Sequence, residues 1–131
     1  MDVFVYGTLT DPDRAFTVVP EARYLGPAKI VGLHVVEDRY PTLAPGGTAT
    51  GRILRTDDVA ALDEYEGVET GLNVRISVPG ADGSPVETYV GKPARLGAAD
   101  EVTWPGDGHF CERVRRYIDC ETAVVRPTDG Q

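Results

Sequence analysis

Two short stretches hold residue types that could do chemistry: Tyr6-Gly7-Thr8-Leu9 near the amino terminus and LDEYEG at residues 62–67. In the second, helical projection puts Glu66 seven residues after Val59 and four after Leu62, on the inward face those two define, while Glu64 points the opposite way. A carboxyl group at the end of an apolar face is costly unless paired, hydrogen-bonded or protonated, and burial raises its pKa above the reference of about 4.3. That is how a general base is made. The alternative is a helix already frayed at Tyr65, with Glu66 a solvated residue before a glycine cap. In the first stretch, a strand stopping on a glycine turn presents successive backbone N–H groups, which suits a carboxylate or an oxyanion.

Other chemistries find little support. The two serines, Ser77 and Ser84, lie outside any GxSxG, and the two histidines are far apart in sequence. His109, Cys111 and Cys120 are close in sequence, but on a shared helix residues 109 and 111 point about 200° apart, at roughly 100° per residue. No second ligand pair at zinc spacing occurs, so no metal is expected. GTLTDP is neither GxGxxG nor a P-loop, and no organic cofactor is expected. Cys111 and Cys120 are expected to be reduced thiols, without a CxxC or a disulfide framework.

The elements that must position these residues follow from local signals. Residues 2–6 form a strand; DPDRAFTVV forms a short helix with Asp11 as N-cap and Pro12 at its first position. ARYLGPAKIVGLHVVED reads as extended chain, broken or bulged at Gly26-Pro27 and again at Gly32, and TLAPGG reads as a loop. TATGRILRT is a strand leading into a helix from about Asp57 to Tyr65 or just beyond, with Thr56 as N-cap and Gly67 as its stop. NVRISV and VETYVGK form a hairpin across PGADGSP. Phe110, Val114, Tyr117 and Ile118 make one apolar helical stripe, assigned to the core. The order is that of an α+β fold with strands curled around one another, not an alternating doubly wound sheet.

Composition bounds the function. A chain of 131 residues with no internal repeat or long linker is expected to form one domain over residues 1–131. With 21 acidic against 13 basic residues and a net charge of −8, it lacks the basic footprint that nucleic acid requires. The same excess, with Lys29 and Lys92 its sole lysines, suggests adaptation to high salt, a halophilic setting. No segment approaches the roughly 20 apolar residues of a membrane span, and no basic n-region with a cleavage site opens the chain, so a cytoplasmic, soluble protein is expected. Oligomeric state is left open.

VFVYGTL followed by LDEYEG resembles the γ-glutamylcyclotransferase superfamily, in particular its AIG2-like, γ-glutamylamine-type branch. The resemblance continues through YPTLAPGG, TGRIL and ETYVG, to about residue 95. It implies a small mixed β-barrel with flanking helices, and an enzyme that closes a γ-glutamyl compound on itself, releasing 5-oxoproline and an amine without a cofactor. Tyr6, Gly7, Thr8 and Leu9 match the family's substrate-binding loop, Glu66 its catalytic acid/base, and Tyr89 a tyrosine that lines the cavity. Many relatives carry Tyr-x-Arg after the glutamate. Here the Arg is Arg75 and the aromatic is replaced by Asn73, which is expected to alter the cavity wall and leave Glu66 unaffected. The same cavity in a non-catalytic metabolite-binding module, or filled in a partner-interaction protein, remains an alternative.

Overall fold

Val3, Phe4 and Val5 are all buried, on both faces of one strand, and such a strand belongs in the middle of a sheet. In the computed structural model, which describes residues 1–36, 42–91, 104–106 and 108–128, that strand is β1 (Asp2–Val5). It pairs antiparallel with β3 (Thr42–Arg55) through Val3 and Leu54, and parallel with β5 (Pro85–Gly91) through Val3 and Glu87. With β2 (Arg23–Val36), β4 (Asn73–Pro79) and β6 (Val124–Pro127), the sheet runs β4-β5-β1-β3-β2-β6.

The sheet curls because its longest hairpin is bent twice. β2 and β3 shift register between Tyr24 and Gly26 and between Val31 and Leu33. Gly26 and Gly32 have φ of 138° and 104°, which side-chain-bearing residues rarely adopt, so the breaks fall where the glycines were expected to place them. The outer strands are thereby brought round to each other: Gly80, after β4, bridges Val125 of β6, and Ala81 N donates to Val125 O at 2.9 Å. Among the described residues the result is a six-stranded half-barrel with three α-helices, the α+β, barrel-like arrangement anticipated.

Two expectations are corrected. TLAPGG is not a loop: β3 starts at Thr42, with Leu43 and Ala44 buried opposite Val35 and His34. Between the Leu33–Pro45 and Val31–Thr48 pairs, β3 holds Gly46 and Gly47 against the single Gly32 of β2, a bulge that absorbs the turn-like residues within the strand. Thr56 does not cap α2 (Val59–Glu66). Asp58 does, accepting from Ala61 N at 3.2 Å, while the Thr56 hydroxyl accepts from Asp58 N one turn earlier.

The other helices agree with the sequence. Asp11 caps α1 (Pro12–Val18), which follows a single 3₁₀ turn at Thr8–Thr10. In α3 (Phe110–Cys120), Val114 and Ile118 are buried against Phe4, Ile30, Leu33 and Ile76, and Phe110 and Tyr117 pack beside them. Lys92, at the end of the expected hairpin, lies outside the described residues, as do Tyr40 and Pro41.

Candidate active site

At the carboxyl end of β1 a cavity of about 330 Å³ opens. Phe4, Val5 and Tyr6 form one wall, the Gly7–Leu9 turn a second, and Tyr65 and Glu66 of α2 a third. Leu72, Asn73 and Tyr89 complete it. Tyr6, Gly7, Thr8, Leu9, Glu66 and Tyr89, singled out across 84 positions of sequence, thus line one space. Glu64 is exposed on the other side of α2.

Glu66 is held there by the way α2 ends. Gly67 adopts the left-handed conformation, φ 72° and ψ 37°. Its N–H donates to Glu64 O at 3.2 Å and that of Val68 to Asp63 O at 3.0 Å, a glycine-terminated helix stop. The helix therefore includes Glu66, and the frayed alternative is not what forms. Burial raises the Glu66 pKa to about 7, so the group sits near its midpoint at neutral pH. Among the described residues, no Arg, Lys or His lines the cavity.

The turn opposite is braced from outside. Tyr24 donates its hydroxyl to Leu9 O at 2.5 Å, and Arg52, stacked 3.8 Å over the Tyr24 ring, donates to Thr10 O at 3.1 Å. The turn's own bonds are donated by Thr10 N to Gly7 O and by Asp11 N to Thr8 O, both at 3.1 Å. The N–H groups of Thr8 and Leu9 come before these donors, at the opening of the turn, where backbone donors are left for other partners. Gly51 lets β1 arrive: a Cβ there would lie 2.1 Å from Val5 O and 2.9 Å from the Phe4 ring.

Three features were not visible in the sequence. The Thr8 and Tyr65 hydroxyls bond at 2.7 Å, joining the turn to α2 across the cavity mouth. Tyr89 donates its hydroxyl to Asp63 at 2.7 Å, and Arg75 bonds the same carboxylate at 3.1 Å and Glu87 at 3.5 Å. These groups are up to 26 positions apart and meet only when β4 and β5 pack on α2. Burial, reinforced by the Asp63 bond, pushes the Tyr89 pKa up; burial and the Glu66 charge do the same to Tyr6, whose hydroxyl donates to Tyr89 O. The third feature corrects an expectation. Asn73 does touch Glu66, donating from Nδ2 to its main-chain oxygen at 2.6 Å and to Oε2 at 3.4 Å.

Cys111 and Cys120 are free thiols, and no group of three or more His, Cys, Asp or Glu side chains suited to a metal occurs among the described residues. No helix among them is long and apolar enough to cross a membrane.

The curled mixed sheet with its flanking helices is the γ-glutamylcyclotransferase-like fold. A solved structure described as a gamma-glutamyl cyclotransferase superimposes with a TM-score of 0.56 at 18% identity, over 70% of this chain and 66% of that one. A solution structure of an Arabidopsis thaliana protein gives 0.52 at 28% identity, over 92% of this chain and 86% of the other. The chain belongs to the family described as gamma-glutamyl cyclotransferase, AIG2-like, which it matches over residues 3–107. A curated relative, AIG2-like protein C of Arabidopsis thaliana, is 33% identical over 118 residues, covering 79% of this chain and 68% of the relative.

Proposed function

We propose that the protein is a γ-glutamylcyclotransferase-type enzyme acting on a small γ-glutamyl compound, with Glu66 as its acid/base. One observation carries this reading: a partly buried carboxyl group, its pKa pushed up to about 7 and with no cationic partner among the described residues, shares a cavity with the Gly7–Leu9 turn. The family and the fold supply the substrate class.

In such a substrate the α-nitrogen attacks the γ-carbonyl of the same molecule. The attack is intramolecular, so the protein has to hold the folded-back conformer and keep water from competing. The α-nitrogen starts as an ammonium and ends as a ring amide N–H, losing two protons. The departing nitrogen starts as an amide N–H and leaves as an ammonium, gaining two. One proton of each pair is exchanged with solvent, from the ammonium before it attacks and to the amine after its release. Glu66 carries the other. As carboxylate it takes a proton from the attacking nitrogen as the new C–N bond and the tetrahedral oxyanion form, and as carboxylic acid it gives that proton to the departing nitrogen while the oxyanion collapses and the old C–N bond breaks. A group near its midpoint at neutral pH serves both directions. The opening N–H groups of the Gly7–Leu9 turn receive the oxyanion or the substrate α-carboxylate. Tyr6 and Tyr89 shape the floor. No cofactor takes part in these steps, and the substrates are soluble, consistent with a cytoplasmic location and with no role for nucleic acid or a membrane.

The test is release of 5-oxoproline from a panel of γ-glutamyl amino acids and γ-glutamyl amines. Release that disappears in Glu66→Gln is expected. Tight binding of 5-oxoproline or of a γ-glutamyl dipeptide with no product would instead make the protein a binding module with the same cavity.

A further inference from the structure

Glu66 has one hydrogen-bonding side-chain partner among the described residues, and it is Asn73. Asn73 is the first residue of β4, paired with Gly91 of β5, and only 8% exposed. A side-chain amide nitrogen carries two hydrogens in a fixed plane. One short bond, 2.6 Å, goes to the Glu66 main-chain oxygen, one of the carbonyls that the end of a helix leaves without a partner. The same nitrogen lies 3.4 Å from Glu66 Oε2, so the positive end of the amide dipole faces the carboxylate. The intervening residues make a closed turn, with Leu72 N donating to Gly67 O at 3.0 Å and the Thr70 hydroxyl to the same oxygen at 3.0 Å. Asn73 thus pins both ends of that turn to one point of the cavity wall.

We propose that Asn73 is a positioning residue for Glu66: one N–H ties the end of α2 to β4, and the other faces the carboxylate, fixing where it presents to the cavity and favouring its ionised form. Its consequence for catalysis rests on the cyclotransferase reading; its effect on the carboxyl group does not. A donor beside a carboxylate stabilises the charged state and opposes the burial that favours the protonated one. The balance sets how much base is present at neutral pH. Two tyrosines also face this carboxyl group. Tyr6, from the end of β1, and Tyr89, from β5, both interact with its charge. Asp63 on α2, Arg75 on β4 and Glu87 on β5 form a chain of ion pairs that reaches Tyr89 through Asp63. None of these donates a hydrogen bond to Glu66; Asn73 does.

The experiment follows the Glu66 side-chain carboxyl carbon by NMR against pH in protein labelled at glutamate, with Glu66→Gln assigning the signal. In Asn73→Leu, similar in size and without donors, the midpoint is expected to rise by roughly half to one pH unit, the scale of one long charge-assisted hydrogen bond. Asn73→Ser, too short to reach Oε2, is expected to move it the same way and carries the test should the leucine variant not fold. A residue that only ties α2 to β4 would lower the melting temperature and leave the midpoint in place, so an unshifted midpoint in a folded variant overturns the proposal. Turnover is read separately on the unaltered protein. Its absence would contradict the cyclotransferase reading alone, while the titration still decides the role of Asn73.

Discussion

Two cavities of similar size lie at opposite ends of β1, Glu66 lining the first and Asp2 and Asp82 the second. At the end of the strand, a space of about 330 Å³ holds Glu66; at its start, one of about 380 Å³ holds Asp2 with Arg55, between Pro27, Ile53 and Val86. Arg55 grips Asp2 through two bonds, 2.7 and 3.1 Å, which with its charge and that of the N-terminus hold the Asp2 carboxyl below its usual range. Glu66 has no cation beside it among the described residues and is driven up to about 7 by burial. Volume therefore does not distinguish the two. The partner of the acid does: a neutralised carboxylate is a structural ion pair, and an unneutralised buried one can exchange a proton near neutral pH.

The sharpest break of this contrast is Glu66→Gln, expected to reduce 5-oxoproline formation by roughly 10²–10⁴-fold, as loss of a general acid/base does. Glu64→Gln, on the exposed side of α2, should keep full activity, and equal loss in the two variants would reject the choice of residue. Next comes the approach of β1 to the first cavity. Gly51→Ala should destabilise by about 2–4 kcal/mol in urea unfolding, because the added methyl group meets Val5 O and the Phe4 ring.

A smaller effect tests the carboxyl groups themselves. With a folded pKa of about 7 against an ordinary value of 4.5, the native protein holds a proton on Glu66 that the unfolded chain has lost. The resulting stability is complete below the unfolded value and falls as pH rises through the folded one. Glu66→Gln cannot titrate, so at about pH 8 it should be more stable than the parent by on the order of 1 kcal/mol or more, with little difference near pH 4. Asp2 has the opposite sign: its lowered pKa supplies stability above the unfolded value that is lost as pH falls through the folded one. Because Arg55 is 46% exposed, Asp2→Asn should change the melting midpoint only slightly, and less in salt. The net charge of −8 predicts a last and weakest effect, a gradual rise of the melting midpoint between about 0.1 and about 2 M KCl as self-repulsion is screened. A flat series would remove the high-salt expectation.

What the sequence shows of this molecule is what local rules can encode. Asp11-Pro12 opens α1, Gly26 and Gly32 bend the hairpin, and the spacing of Glu66 from Val59 and Leu62 marks the inward acid. What it hides depends on distant pairing. TLAPGG has loop composition, yet the burial of Leu43 and Ala44 against β2 draws it into β3. VVRP is too short a run to announce β6, which forms because Val124 and Val125 meet Val31 and Ile30. Thr56 and Asp58 are equally good caps on paper, and only the actual turn decides between them. Asn73 was legible as an unusual residue but not as a partner of Glu66, since their contact requires the turn at Gly67–Leu72 to close.

The central claim is that Glu66 is the working acid/base of a cyclotransferase. It is tested most directly by chromatographic detection of 5-oxoproline after the purified protein and Glu66→Gln are incubated, at low and high KCl, with γ-glutamyl amino acids and γ-glutamyl amines. The account predicts 5-oxoproline from at least one substrate with the parent protein and its near-complete loss in the variant. Undiminished product in Glu66→Gln, or none from any substrate with the parent, would contradict it.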